Sequence, residues 1–167
     1  MSGCKPLDIP MPQNLKLLPH DERKGKEDEL LGNPKRYRKL ISKLLYVTIT
    51  HPHISFCVQT LNQLMHNPTK AHMVAAKGVV RYLKGCPIMG LLISSEGEPV
   101  LECFCDSNWV SYGITKRSVT SYLLKFGGSS VMWKAKKQST VSKSLTKAEY
   151  RALSMATFEI VSTRVLL

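Results

Sequence analysis

The sequence predicts an α+β chain, in which a small segment of three helices is followed by an antiparallel sheet with one covering helix. Three observations carry this expectation. Apolar residues recur at three- and four-residue steps between Asn33 and Gly85. Beyond Gly90 they alternate or run continuously, as strands do, and from Thr146 the helical spacing returns. Strands first and a helix after them argue for segregated layers rather than alternating βαβ units. At 167 residues the chain is long enough for one ordinary domain or two small pieces. The expected division is an extended linker over 1–32, a helical segment over 33–87 and a sheet-and-helix part over 88–167.

Within the first segment, Pro6, Pro10, Pro12 and Pro19 keep the chain extended along a surface. His20 to Glu29 is a charged linker without periodicity. The first helix starts at Asn33-Pro34, a capping residue followed by a proline that a first turn tolerates. Its apolar stripe is Tyr37, Leu40, Ile41, Leu44 and Leu45, and it ends before His51-Pro52. Ile54, Cys57, Val58, Leu61, Leu64 and Met65 form a second stripe, ending at Asn67-Pro68. Thr69 caps a third helix with Met73, Ala76, Val80 and Leu83 inward, stopped by Gly85 and Pro87. His51, His53, His66 and His72 flank or cap these helices, without the spacing or acidic partner of a metalloprotease helix.

In the last part, Leu91 to Ser94 and Val100 to Asp106 read as strands joined by a Ser-Glu-Gly-Glu turn. Ser118 to Phe126 and Ser130 to Ala135 read as a hairpin around Gly127-Gly128. Thr146 opens the final helix, with Tyr150, Leu153, Met155, Ala156 and Ile160 supplying most of its apolar side.

Net charge is +12, a surplus that favours a polyanion partner, nucleic acid before membrane. No apolar run approaches the length of a bilayer span. The five cysteines are odd in number and form no C-x-x-C pair, which argues against a zinc site. Cys103 and Cys105 share one strand face and pack as small hydrophobes. No signal peptide is evident, so the expectation is an intracellular protein, cytoplasmic or nuclear and not secreted.

Two carboxylates stand out. Asp106 ends an apolar strand, and Glu149 lies in the opening turns of the helix that covers it. Carboxylates from a sheet and its covering helix suit a hard cation such as Mg²⁺, and two such ions can drive phosphodiester hydrolysis. Each has a structural alternative. Thr146-x-x-Glu149 is a capping box, so Glu149 serves the helix start on that reading, and Asp106 terminates its strand as a turn residue. Lys134, Lys136, Lys137 and Lys143, beside Trp133, are candidate nucleic-acid contacts. Their alternative is a solvated hairpin with Trp133 in the core.

The run Tyr37-Arg38-Lys39-Leu40-Ile41-Ser42-Lys43-Leu44-Leu45-Tyr46, with His51-Pro52-His53-Ile54-Ser55-Phe56 and Arg81-Tyr82-Leu83-Lys84-Gly85, resembles the Pol polyprotein of plant copia-type retrotransposons. Cys105-Asp106-Ser107-Asn108-Trp109, Lys116-Arg117-Ser118, Gly127-Gly128 and Lys136-Lys137-Gln138 extend the resemblance, which runs from about Lys5 to the last residue. It implies the segment joining the end of the reverse transcriptase to a ribonuclease H domain, which cuts RNA in RNA–DNA hybrids. It also implies that Asp106 and Glu149 are catalytic metal ligands for Mg²⁺, and that the partners are an RNA–DNA hybrid and the rest of a Pol polyprotein.

The chain departs from the family pattern in several places. The usual Ser-Asp-Ala-Asp-Trp is Cys105-Asp106-Ser107-Asn108-Trp109, which keeps the first aspartate and loses the second. The usual Arg-Pro-Asp-Ile-Ser is His51-Pro52-His53-Ile54-Ser55. Ser-Thr-Glu-Ala-Glu-Tyr becomes Leu145-Thr146-Lys147-Ala148-Glu149-Tyr150, with a cation where a helix dipole prefers an anion. No Tyr-x-Asp-Asp motif of a polymerase is present. The family fold implies further strands and two more acidic ligands after the long helix. The expectation is therefore the N-terminal half of a truncated ribonuclease H-like domain, inactive as an isolated chain. The alternative is a non-catalytic, basic nucleic-acid-binding remnant.

Overall fold

A computed structural model describes residues 3–12, 15, 17–20, 29–109 and 116–166. Most of the charged linker expected from His20 to Glu29 lies outside these residues. The chain divides into two compact units, Met1–Gly90 and Leu91–Leu167. No helix among the described residues is long and apolar enough to cross a membrane.

The first unit is built on α1 (Pro34–Val47), α2 (Ser55–Asn62), which a 3-10 turn at Pro52–Ile54 leads into, and α3 (Lys70–Gly85). Asn33 caps α1 by accepting from the Arg36 backbone N–H at 3.4 Å, ahead of Pro34. Tyr37, Ile41 and Leu44 are buried against Ile54, Val58, Leu61 and Val79. The Tyr37 hydroxyl donates to the Leu61 carbonyl at 2.8 Å, satisfying one of the last acceptors of α2. Burial pushes the pKa of this phenol up. The second helix is shorter than its apolar stripe, since Gln63 and Leu64 leave the helix as a turn while Leu64 stays buried.

Thr69 and His72 form a reciprocal cap at the start of α3. The Thr69 hydroxyl accepts from the His72 N–H at 3.4 Å, and His72 Nδ1 accepts from the Thr69 N–H at 3.1 Å. Nδ1 is therefore unprotonated, and Nε2 is free to donate to the Leu18 carbonyl, 2.9 Å away. That tie draws His72 fully inward. The buried line of α3 is consequently His72, Ala76 and Val79, while Met73, Val80 and Leu83 are only half-buried against the core. The extended N-terminal segment lies along α3, where Arg81 Nε donates to the Lys5 carbonyl at 2.8 Å and Lys84 Nζ to the Cys4 carbonyl at 2.9 Å.

His53 lies edge-on to the Tyr82 ring at 5.5 Å and close to His51 at 5.6 Å. Desolvation, and then repulsion from His51, lower its pKa below 6.5. The folded unit thus favours neutral His53. Its stability contribution is intact above about pH 6.5 and falls as pH drops toward the lower folded value, because the unfolded chain takes the proton first. Urea denaturation of the wild type should lose more stability between about pH 8 and pH 5 than His53→Gln does. Equal losses in the two proteins would refute this.

The second unit contains β1 (Leu101–Asn108), β2 (Val119–Phe126), β3 (Ser129–Lys137) and α4 (Leu145–Leu166). The sheet is antiparallel in the order β1-β2-β3, with Asp106 opposite Ser121 and Ser121 opposite Ala135. Gly127 and Gly128 both take positive φ, 56° and 78°, which gives the tight turn between β2 and β3 the twist of its strands. A bulge lies between Leu124 and Lys125.

Two sequence expectations fail in this unit. The strand expected at Leu91–Ser94 does not form: residues 91–100 carry no strand, and Leu92 and Ile93 are exposed. An apolar run becomes a strand only where a neighbour accepts its ladder. Here the segment instead crosses the hairpin turn, with the Ser94 N–H donating to Ser129 Oγ at 3.0 Å. Gly97, at φ 148°, passes so close that an added Cβ would lie 2.8 Å from the Gly127 carbonyl oxygen.

The second failure concerns α4. The helix begins at Leu145, one residue before Thr146, because Ser144 caps it: Ser144 Oγ accepts from the Lys147 N–H at 3.2 Å. Its inward face is Ala148, Ala152 and Ala156, at steps of four. Tyr150 and Leu153, expected inward, are 68% and 50% exposed, while Met155 and Ile160 are half-buried. Small residues let the helix axis approach the sheet, so the close contact selects alanine over the larger apolar side chains. Tyr122 fastens the helix further along by donating to Glu159 Oε1 at 2.8 Å, and burial and the Glu159 charge push the phenol pKa up.

Candidate functional site

Asp106 lies near the end of β1, between Cys105 and Ser107. Those neighbours face α4, and Ser107 is buried there, so the two-residue alternation sends Asp106 to the opposite, open face, where it is exposed. Glu149 directly follows Ala148, which is buried against the sheet, and is itself exposed. Since Ser144 is the cap, Thr146 and Glu149 do not form the box their spacing suggested, and Glu149 has no capping duty.

What joins the two segments is a residue that sequence reasoning named only within a family motif and gave no role. Gln138 follows β3 directly and is buried. Its Nε2 donates to the Ala148 carbonyl at 3.0 Å and to Thr120 Oγ1 at 3.0 Å, and lies 3.5 Å from Ser107 Oγ. Its Oε1 accepts from Ser142 Oγ at 2.9 Å, and Ser142 Oγ in turn accepts from Arg151 Nη1 at 3.0 Å. A single amide thus ties the residue after Asp106 to the residue before Glu149. The structure brings the two carboxylate-bearing backbones together and points Asp106 out of the open sheet face. Small hydroxyl residues at inward register positions, Ser107 and Thr120, were the available signal for a buried polar partner.

Trp109 ends the same region. It is 47% exposed, and its indole N–H donates to the Ser142 carbonyl at 3.1 Å. The candidate lysines do not share one face. Lys134 stands on the α4 side, 3.9 Å from Glu159, and Lys136 alternates onto that side as well. Lys137 lies on the other, its pKa lowered by desolvation and by Arg117, and Lys143 precedes the helix. Trp133 is half-buried on the open face. Among the described residues, no three or more His, Cys, Asp or Glu side chains form a group able to hold a metal ion.

Comparison with known proteins gives this arrangement its context. Over 160 residues, 96% of the chain, it is 36% identical to an uncharacterized mitochondrial protein of Arabidopsis thaliana, of which it spans 64%. Over the same length it is 32% and 33% identical to the retrovirus-related Pol polyproteins from transposons RE1 and RE2 of that plant. The chain is related to retrotransposon Pol polyproteins over nearly its whole length. It spans only 10% and 11% of those two Pol polyproteins. No family model matches the chain, and no solved structure matches it.

Proposed function

We propose that the chain is a portion of a retrotransposon Pol polyprotein in which residues 91–167 are related to the ribonuclease H that hydrolyses RNA in RNA–DNA hybrids. The observation that carries this reading is the Gln138 amide, which holds the segment of Asp106 beside the segment of Glu149. Those two residues are the proposed Mg²⁺ ligands. The strand order β1-β2-β3 followed by a helix across the sheet supports the same ancestry.

The donor set limits the chemistry. Two carboxylates supply a charge of about −2 against about +4 for a pair of Mg²⁺ ions, which normally sit about 4 Å apart among several oxygen ligands. Asp106 also leaves β1 on the face away from α4. The described residues therefore do not fit a two-metal centre, and no hydrolytic step follows from them alone. The isolated chain is expected to bind Mg²⁺ weakly and to leave a labelled RNA–DNA hybrid uncut. Robust Mg²⁺-dependent cleavage, abolished by Asp106→Asn, would overturn that expectation.

A second, non-catalytic reading rests on a separate observation. Between Ser107 and Ala148 the sequence contains lysines and arginines but no aspartate or glutamate. A polyanion would meet a net positive field along that stretch. Hybrid affinity is then expected to fall steeply with salt as phosphate counterions are released. A flat salt response in a binding titration would eliminate this reading.

A further inference from the structure

The exposed aromatic at the end of β1 has no use in either reading so far. Trp109 keeps about half of its surface in water although it is the largest side chain of the region. Its ring is not loose, because the indole N–H is held by the Ser142 carbonyl. That anchor is also a junction of positive charge. Lys143 is the next residue and is exposed, and Arg151 reaches Ser142 Oγ and the Thr140 carbonyl through Nη1 alone. An arginine carries five N–H donors, so this geometry leaves Arg151 others to offer. A fixed, half-exposed indole, anchored on a residue that Lys143 follows and Arg151 bonds, suits a stacked base whose backbone phosphates lie near those cations.

We propose that Trp109 is a stacking platform for an unpaired base of a nucleic-acid strand, with Lys143 and Arg151 holding the adjacent phosphates. The inference rests on the nucleic-acid-binding reading above and adds to it a residue and a preference for single-stranded over fully paired polynucleotide. An aromatic ring engages any base through its π-face, so the site is tolerant of sequence. The cations contribute the salt dependence, whereas the ring contributes affinity that salt leaves unchanged.

The test uses the full chain and three fluorescent probes: a single-stranded oligodeoxynucleotide, an RNA–DNA hybrid with a single-stranded overhang, and a blunt hybrid. Trp109→Ala is expected to weaken binding of the first two about five- to a hundred-fold, and of the blunt hybrid far less. Trp109→Phe should recover most of the loss, and neither variant should change the slope of affinity against salt. Lys143→Ala should reduce that slope by about one. In a Trp133→Phe background, where Trp109 is the remaining tryptophan, the single strand should quench indole emission. Binding that is salt-dependent but indifferent to Trp109, with no quenching, would overturn this inference and leave the parent reading standing. Absence of binding to all three probes at low salt would overturn both. Equal losses with all three probes would overturn the single-strand preference and with it the stacking role.

Discussion

Gln138→Leu is expected to lower the unfolding free energy of the 91–167 unit by about 2–4 kcal/mol, because a buried acceptor or donor left without its partner costs about 1–3 kcal/mol and several are stranded together. The amide serves Thr120, Ser142 and the Ala148 carbonyl at once, all at 3.0 Å or less, and leucine replaces none of these bonds. Gln138→Glu should be equally damaging at neutral pH, since a carboxylate cannot donate to the Ala148 carbonyl. Urea denaturation followed through hydrogen exchange of β2 and α4 amides would read the effect. A loss below about 0.5 kcal/mol, the level of an ordinary surface substitution, would mean that the network does not hold the strand end to the helix.

Tyr37→Ala is expected to cost the helical unit about 3–5 kcal/mol, the range for removing a large buried aromatic. Tyr37 is wholly buried among α1, α2 and α3, and its hydroxyl is the partner of the Leu61 carbonyl. Tyr37→Phe separates the two contributions: it keeps the ring and strands the carbonyl, for about 1–3 kcal/mol. Exchange protection should fall across α1–α3 in both variants, in that order of severity. Unchanged protection in Tyr37→Ala would remove Tyr37 from the centre of this core.

The two cases differ in how visible they were beforehand. Tyr37 opens an apolar stripe of three- and four-residue steps, and the stripe alone predicts its burial. The Asn33-Pro34 start of α1, the Thr69 cap and the paired glycines of the hairpin were equally legible, because each follows from local chemistry. Gln138 was not. Its value comes from Ser107, Thr120, Ser142 and Ala148, which are brought to it by strand pairing and helix packing. The inward face of α4 misled for a related reason. Hydrophobicity ranks Tyr150 and Leu153 above alanine, but the short distance between helix and sheet reverses that ranking.

Local order was written in the sequence: capping residues, proline positions, glycine pairs and apolar periodicity determined which segments become helix or hairpin, since each acts within a few residues of chain. The relation to Pol polyproteins was legible there too, through motifs spread along almost the whole length. Tertiary structure alone decided which side of the sheet Asp106 faces and that one amide binds strand end to helix start. Those outcomes depend on contacts between residues 10–31 positions apart, and no local pattern encodes the partner at that range.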